Sequence, residues 1–280
     1  MKRLLAAALL FALAACQRDE TSTQTAPAPT DAPPPAQTAP PPNVELTDVS
    51  ERDPRYMVGI SYPKGLDKYP GLAAQLRQYA DAARAELKQA LDGLGTEKPS
   101  APYELSLAFT TLTETPQIVA VGAEGSSYTG GAHGNPLIAR FVWLPQQQKA
   151  LKIDELIGDK TGWLDLSDYV REQLHAALSQ RIDADDMAPA DRAEMMRSAL
   201  KMIDEGSDPD PANFAQFEPV LGADGTLSAL RFVFPPYQVG PYSDGVQTVE
   251  VPAAVLLPHI AAAYRGLFAS APPQPQPPAQ

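Results

Sequence analysis

Proline crowds the two ends of the chain, and that placement limits where a fold can form. Of 280 residues, 30 are proline. The triplets Pro33-Pro34-Pro35 and Pro40-Pro41-Pro42 punctuate a segment, residues 17–50, otherwise dominated by Ala, Thr, Gln and acidic residues, and residues 270–280 are again rich in Pro and Gln. Such segments bury too little apolar surface to offset the entropy of ordering them, so both are expected to be disordered. The first then acts as a tether, able to extend roughly 100 Å as polyproline II at ~3.1 Å per residue. A fold must come from the ~220 residues between, enough for one large domain or two closely associated lobes.

Ahead of the tether, Lys2 and Arg3 precede an apolar run, residues 4–13, that ends in Leu13-Ala14-Ala15-Cys16. Charged, apolar and small-residue regions in that order read as a signal peptide. Ten apolar residues give ~15 Å of helix, about half a hydrocarbon core, which disfavours a membrane span. The thiol is the one side chain there that can form a thioether to diacylglycerol. Residues 1–15 are therefore expected to be a lipoprotein signal peptide and Cys16 the lipidated first residue of the mature chain. Similarity to lipoprotein signals implies that Gln17, in place of Asp, sends the anchor to the outer membrane, with the folded part on the periplasmic face of the cell envelope.

Cys16 is the only cysteine, so a lipidated chain has neither thiol catalysis nor a disulfide nor a Cys-ligated metal. Losing Lys2 and Arg3 with the signal takes the formal charge from -12 to -14. That acidity argues against nucleic acid and anionic lipid surfaces as partners and suits either solubility or a cationic partner.

Within the core, residues 56–62 read as a strand and residues 70–94 as a helix, with Leu72, Leu76, Tyr79, Ala83, Leu87 and Leu91 at helical spacing and Gly93 and Gly95 after them. Tyr103, Leu105, Leu107 and Phe109 alternate, and residues 118–121 and 137–144 follow as strands, predicting an antiparallel meander packed on the helix. Residues 154–157 read as a turn or short helix, and residues 163–182 and 189–205 as longer helices. Strands return at 217–221 and 227–234 around the hairpin turn Gly222-Ala223-Asp224-Gly225, with Leu230, Phe232 and Phe234 on one face. One more strand is expected at 246–251, and a closing helix at 252–268 that Pro258 bends or splits. Segregated strands and helices predict an α+β fold: antiparallel sheets with packed helices in two closely associated lobes, residues 51–158 and 159–269.

Two stretches stand out as candidate sites. In Ser126-Ser127-Tyr128-Thr129-Gly130-Gly131-Ala132-His133-Gly134-Asn135, the glycines Gly130, Gly131 and Gly134 allow positive φ or close backbone approach. The stretch is either a tight loop between strands with His133 held by backbone hydrogen bonds, or the seat of a metal ligand or general base. His133 has no partner at metal-ligand spacing; His175 and His259 are each placed by periodicity on a different helix, so no metal or cofactor is expected. The loop has no Lys-Ser or Lys-Thr for a phosphate cradle and no nucleophile elbow.

The second stretch runs from Phe232 through Pro235-Pro236-Tyr237-Gln238-Val239-Gly240-Pro241-Tyr242-Ser243-Asp244-Gly245. A strand entering Pro-Pro leaves its ladder, so Tyr237 and Tyr242 sit on a rigid excursion held by Gly240-Pro241, with Gly245 closing it. The tyrosines are either a recognition platform or pack on the sheet with capped hydroxyls. Asp183, Asp185 and Asp186 have half a calcium loop's spacing but neither its glycine nor its closing Glu, and read as a solvated connector, as do Asp208 and Asp210.

The order of Tyr128, Gly130-Gly131-Ala132-His133-Gly134, the turn at 151–157, Asn213-Phe214 and the Phe234 to Gly245 motif resembles the RsiV-like and PdaC-like extracytoplasmic domain family, over residues 56–268. The resemblance implies a two-part α+β domain found on bacterial lipoproteins, in front of a peptidoglycan deacetylase domain, and as the outer part of an anti-sigma factor that binds lysozyme. Neither the deacetylase domain nor the anti-sigma segment is present, so those activities do not carry over. The expected function is a non-enzymatic, lipid-anchored binding domain for a cell-wall component or a wall-active protein such as lysozyme, with Tyr128, His133, Tyr237 and Tyr242 the candidate binding residues and no catalytic residue assigned. The alternatives are an enzyme acting on wall glycan or peptide through His133 and an acidic residue from the helical section, and a purely structural envelope lipoprotein.

Overall fold

The computed structural model describes residues 44–184 and 188–268. The signal peptide, Cys16, residues 17–43 of the expected tether, Asp185 and Asp186, and the expected tail at 270–280 lie outside the described residues.

A long helix, α1 (Pro70–Leu94), begins on Pro70, whose missing N–H costs nothing at a helix start, and stops before Gly95, whose φ of 60° leaves the helical region. Its buried stripe of Leu72, Ala73, Leu76, Ala80, Ala83 and Leu87 faces one side of a six-stranded sheet. The strands are β1 (Val49–Asp53), β2 (Tyr56–Ser61), β3 (Tyr103–Glu114), β4 (Val119–Tyr128), β5 (Asn135–Leu144) and β6 (Lys149–Ala150), neighbours in that order. Alternation in β3 sends Tyr103, Leu105, Leu107 and Phe109 under α1, as expected. Each buried leucine of this layer contributes ~2 kcal/mol.

The meander expected after α1 forms, with β3, β4 and β5 paired antiparallel. The strand ahead of α1 joins it in parallel, Val58 of β2 opposite Leu105 of β3, because α1 carries the chain across the sheet between them and returns it in the same sense. Order also reaches further toward the N-terminus than the tether boundary at 50, since β1 begins at Val49 and Leu46 packs against the α1 core. β1 reads Val-Ser-Glu-Arg-Asp, a polar edge strand paired with β2 and tied to α1 by Arg84 on Glu51, so its order comes from these neighbours and not from its own composition.

The reverse face of this sheet belongs to a second core. Ile118, Ala120, Val142 and Leu144 point away from α1 and join α2 (Ile153–Leu156), α3 (Lys160–Ala184), α4 (Pro189–Gly206) and a three-stranded antiparallel sheet, β7 (Phe217–Leu221), β8 (Leu227–Phe234) and β9 (Gln247–Pro252). β4 and β5 are thus a wall shared by both cores. Phe214, fully buried in a 3-10 turn, stands edge-on to Phe232 at 5.5 Å and to Phe234 at 6.2 Å.

The closing helix expected at 252–268 is not formed. Only α5 (Ala253–Leu256) is α-helical; Pro258 lacks the donor for another turn, and the chain then runs through turns into a short 3-10 helix at Arg265–Leu267, with Ile260 bridged to Ile157 and Phe268 to Leu227. Ile260, Tyr264 and Phe268, spaced like a helix stripe, reach the core from irregular backbone. Among the described residues no helix is long and apolar enough to cross a membrane.

Candidate functional site

The two stretches singled out in the sequence meet. The β4–β5 loop leaves β4 at Tyr128, whose hydroxyl donates to the Gly131 carbonyl at 3.3 Å, and turns on Gly130 and Gly131 with φ of 101° and 103°, a region that residues with a side chain rarely adopt. Gly134 packs against Ser127 and Ser126. The turn presents His133 outward, toward the loop between β8 and β9.

There the imidazole meets both tyrosines. Its Nε2 is 3.0 Å from the Tyr237 hydroxyl, and its ring stacks on Tyr242 with centroids 4.1 Å apart and planes 17° from parallel. Tyr237 and Tyr242 lie 5.7 Å apart. On the other side of the ring, Nδ1 is 3.1 Å from the Gly134 carbonyl, which only accepts; Nδ1 therefore carries the proton, and Nε2 accepts from the Tyr237 O–H. All three side chains are accessible, Tyr237 at 54% and Tyr242 at 38%. The alternative in which the tyrosines pack away on the sheet is not what forms.

Tyr237 is held under strain. Its φ of 75° is a left-handed conformation that costs a residue with a side chain on the order of 1–3 kcal/mol, and it persists because the loop is fastened around it. The Tyr237 N–H donates to the Gly240 carbonyl at 2.9 Å, and the Gln238 side-chain amide donates to the Gly206 carbonyl at 2.9 Å and the Asn213 carbonyl at 2.8 Å. Gly206, the last residue of α4, admits this approach: a Cβ there would lie 1.9 Å from the Gln238 carbonyl oxygen. Val239 is buried in the second core, Gly240 sits against Asp244, and Arg181 of α3 donates to Asp244 at 2.7 Å. Gly245 ends the excursion at φ 68°. Gln238 and Asp244 lie within the sequence motif, but the clamp is not legible there, because Gly206, Asn213 and Arg181 carry no local signal of it.

Among the described residues no acidic side chain pairs with His133, where the enzyme reading expected one. The helical carboxylates go to the other histidines: Asp165 and Asp159 lie 2.9 and 3.7 Å from His259, and Asp204 lies 3.2 Å from His175. His175 is on α3, but His259 sits in the turn after α5 and not on a helix. Asp183 pairs with Arg192 at 3.1 Å. Among the described residues no three His, Cys, Asp or Glu side chains gather to hold a metal ion. Beneath the Tyr237 loop a cavity of about 210 Å³ is lined by Leu174, Leu178, Ile203 and Val239, with Arg181 and Asp244 at its edge. That is below the ~300–1,000 Å³ of ordinary small-molecule pockets. The arrangement can stack and hydrogen-bond a partner at the surface.

Residues 49–136 match the family model described as Deacetylase PdaC, and residues 164–254 match the one described as Protein of unknown function (DUF3298). The chain carries a PdaC-like domain followed by a DUF3298 domain. The aromatic cluster is composite across them: His133 comes from the PdaC-like segment, Tyr237 and Tyr242 from the DUF3298 segment. A crystal structure of a DUF3298 family protein from Pseudomonas aeruginosa shares the fold, at 15% identity and a TM-score of 0.50, covering 80% of this chain and 96% of that one. A member of the same family from Bacteroides fragilis aligns at 16% identity and a TM-score of 0.49, with the same coverage. No curated protein matches the chain.

Proposed function

We propose that this PdaC-like, DUF3298 chain is a lipid-anchored, non-enzymatic binding domain on the periplasmic face of the envelope, and that His133, Tyr237 and Tyr242 form its recognition surface toward a cell-wall component or a wall-active protein such as lysozyme. One observation carries the reading: loops 104 residues apart are joined by the His133–Tyr237 hydrogen bond into an exposed aromatic cluster held in one geometry. Accessible, pre-ordered aromatic rings bind at low entropic cost and are frequent energetic centres of interfaces. With Nε2 taken up by Tyr237 and Nδ1 by the Gly134 carbonyl, both ring nitrogens of His133 are engaged in holding the loop, which supports a structural partnership with the tyrosines. The signal-like N-terminus ending at Cys16 supports the anchor, and the acidic balance of the chain suits an extracytoplasmic partner other than nucleic acid.

The test is titration of the purified full-length chain with a lysozyme and with soluble peptidoglycan fragments, beside His133→Ala and Tyr242→Ala. Binding of either partner that falls at least about tenfold in both variants, with unfolding midpoints kept, supports the surface. Binding untouched by either variant moves recognition elsewhere on the fold. Turnover of a fragment that is lost in His133→Ala favours the enzyme reading instead.

A further inference from the structure

We infer that the ligand of this surface is an uncharged sugar chain, an inference that rests on reading the His133–Tyr237–Tyr242 cluster as a recognition site. The cluster is carried by two stretches without any Asp, Glu, Lys or Arg: fifteen residues, 125–139, and twelve residues, 232–243, in a chain of which 20% is charged. The ionised groups at their borders are already engaged with one another. Arg140 donates to Glu124 and Glu218, and Asp244 accepts from Arg181. Neither stretch therefore supplies a cationic protein with a carboxylate of its own to pair with.

What the surface does offer matches the two sides of a pyranose. The exposed tyrosine rings present π faces that attract the weakly positive C–H face of a sugar ring, and their separation of 5.7 Å is on the scale of one sugar residue. Around them stand neutral hydrogen-bonding groups. Ser126 is exposed against Gly134, Asn135 and Ser243 are exposed, and so are Gly130 and Gly131 of the turn. Such groups can exchange hydrogen bonds with hydroxyls and acetamides without the desolvation cost of an ion. The lock between His133 and Tyr237 fixes one ring before the ligand arrives, as a shallow site needs when it must bind without enclosing its ligand.

The experiment uses the full-length chain and two probes, the uncharged N-acetylglucosamine tetramer and a lysozyme, followed by calorimetry and by the aromatic proton shifts of His133, Tyr237 and Tyr242. The expected result is that the tetramer binds and moves those shifts. Its affinity should be unchanged between low and high salt, drop at least about tenfold in Tyr242→Ala, and fall in Tyr237→Phe, which keeps the ring face but loses the hydroxyl lock, by less than in Tyr237→Ala. Failure of the tetramer to bind, with lysozyme binding that weakens in Tyr242→Ala, overturns the sugar assignment and leaves the recognition surface standing. Tetramer binding that leaves the three shifts unmoved and is indifferent to Tyr242→Ala overturns both.

Discussion

Arg140 donates through Nε to Glu218 at 2.5 Å with both side chains withdrawn from solvent, at 4% and 11% exposure, and so ties β5 of the six-stranded sheet to β7 of the three-stranded one. The pair is fully engaged: Arg140 also donates to Glu124 and to the Ala139 carbonyl, and Arg231 reaches both Glu218 and Glu250. Breaking a buried pair from one side strands the other charge, at a cost of ~3–5 kcal/mol, while replacing both partners with apolar groups costs much less. Glu218→Leu should lower the unfolding free energy by ~3 kcal/mol or more, and Arg140→Met with Glu218→Leu should recover part of that loss, as read by urea denaturation. Equal losses in single and double variants would show the pair to be no unit.

His133→Ala is expected to cost at most ~1 kcal/mol of stability, because the imidazole is exposed and its hydrogen bonds are exchangeable with water. The larger effect should be on order: without the Nε2 acceptor and the stack on Tyr242, both tyrosine rings should become mobile in side-chain relaxation measurements. A loss above ~2 kcal/mol would mean that the loop is part of the core.

Gly206→Ala tests the clamp beneath Tyr237. A methyl group there collides with the Gln238 carbonyl, so the gain of ~1 kcal/mol that Ala brings to a helix should be reversed into a net loss of ~1–3 kcal/mol by the forced backbone shift. Tyr237 should relax from its left-handed φ at the same time, visible as shift changes confined to residues 235–245. Stabilisation by this substitution would rule the clamp out.

Acid should weaken the fold through two exposed carboxylates. Glu155 is held below the usual carboxylate range chiefly by the hydrogen bond from Lys149 at 2.5 Å, then by that from the Tyr264 hydroxyl at 3.0 Å; Glu114 is lowered likewise by Lys68 and then Tyr69. A carboxyl whose pKa is lower folded than unfolded contributes stability above its ordinary value of 4.5, and loses it as pH falls through the depressed one. Unfolding free energy should therefore decline below about pH 4.5, with a shallower slope in Glu155→Gln. An unchanged slope in that variant would place the acid sensitivity elsewhere.

Cys16→Ser is expected to move the chain from the membrane fraction to the soluble periplasm with its unfolding transition intact, since the proposed anchor is covalent lipid well ahead of β1. Metabolic labelling with a palmitate analogue should mark only the wild type. Label retained by the Ser variant would refute the lipoprotein assignment.

Where structure is dictated by neighbours along the chain, the sequence was enough. Pro70 and Gly95 bound α1 as read, β7 and β8 begin and end at the expected residues around their hairpin turn, and the glycine-rich loop leaves β4 at Tyr128, because periodicity, proline and glycine act within a few residues. Tertiary structure decided the rest. β1 is polar enough to pass for tether until β2 supplies its hydrogen bonds, and β2 and β3 become parallel only because α1 packs across the sheet between them. Residues 258–268 keep a helix-like apolar spacing yet abandon the helix, since Pro258 breaks it and the second core accepts Ile260, Tyr264 and Phe268 from irregular backbone. The candidate site is the clearest case: each loop is legible alone, but the bond from Tyr237 to His133 spans 104 residues, and a contact at that distance leaves no period or motif in the sequence, only the folded sheets that bring the loops together.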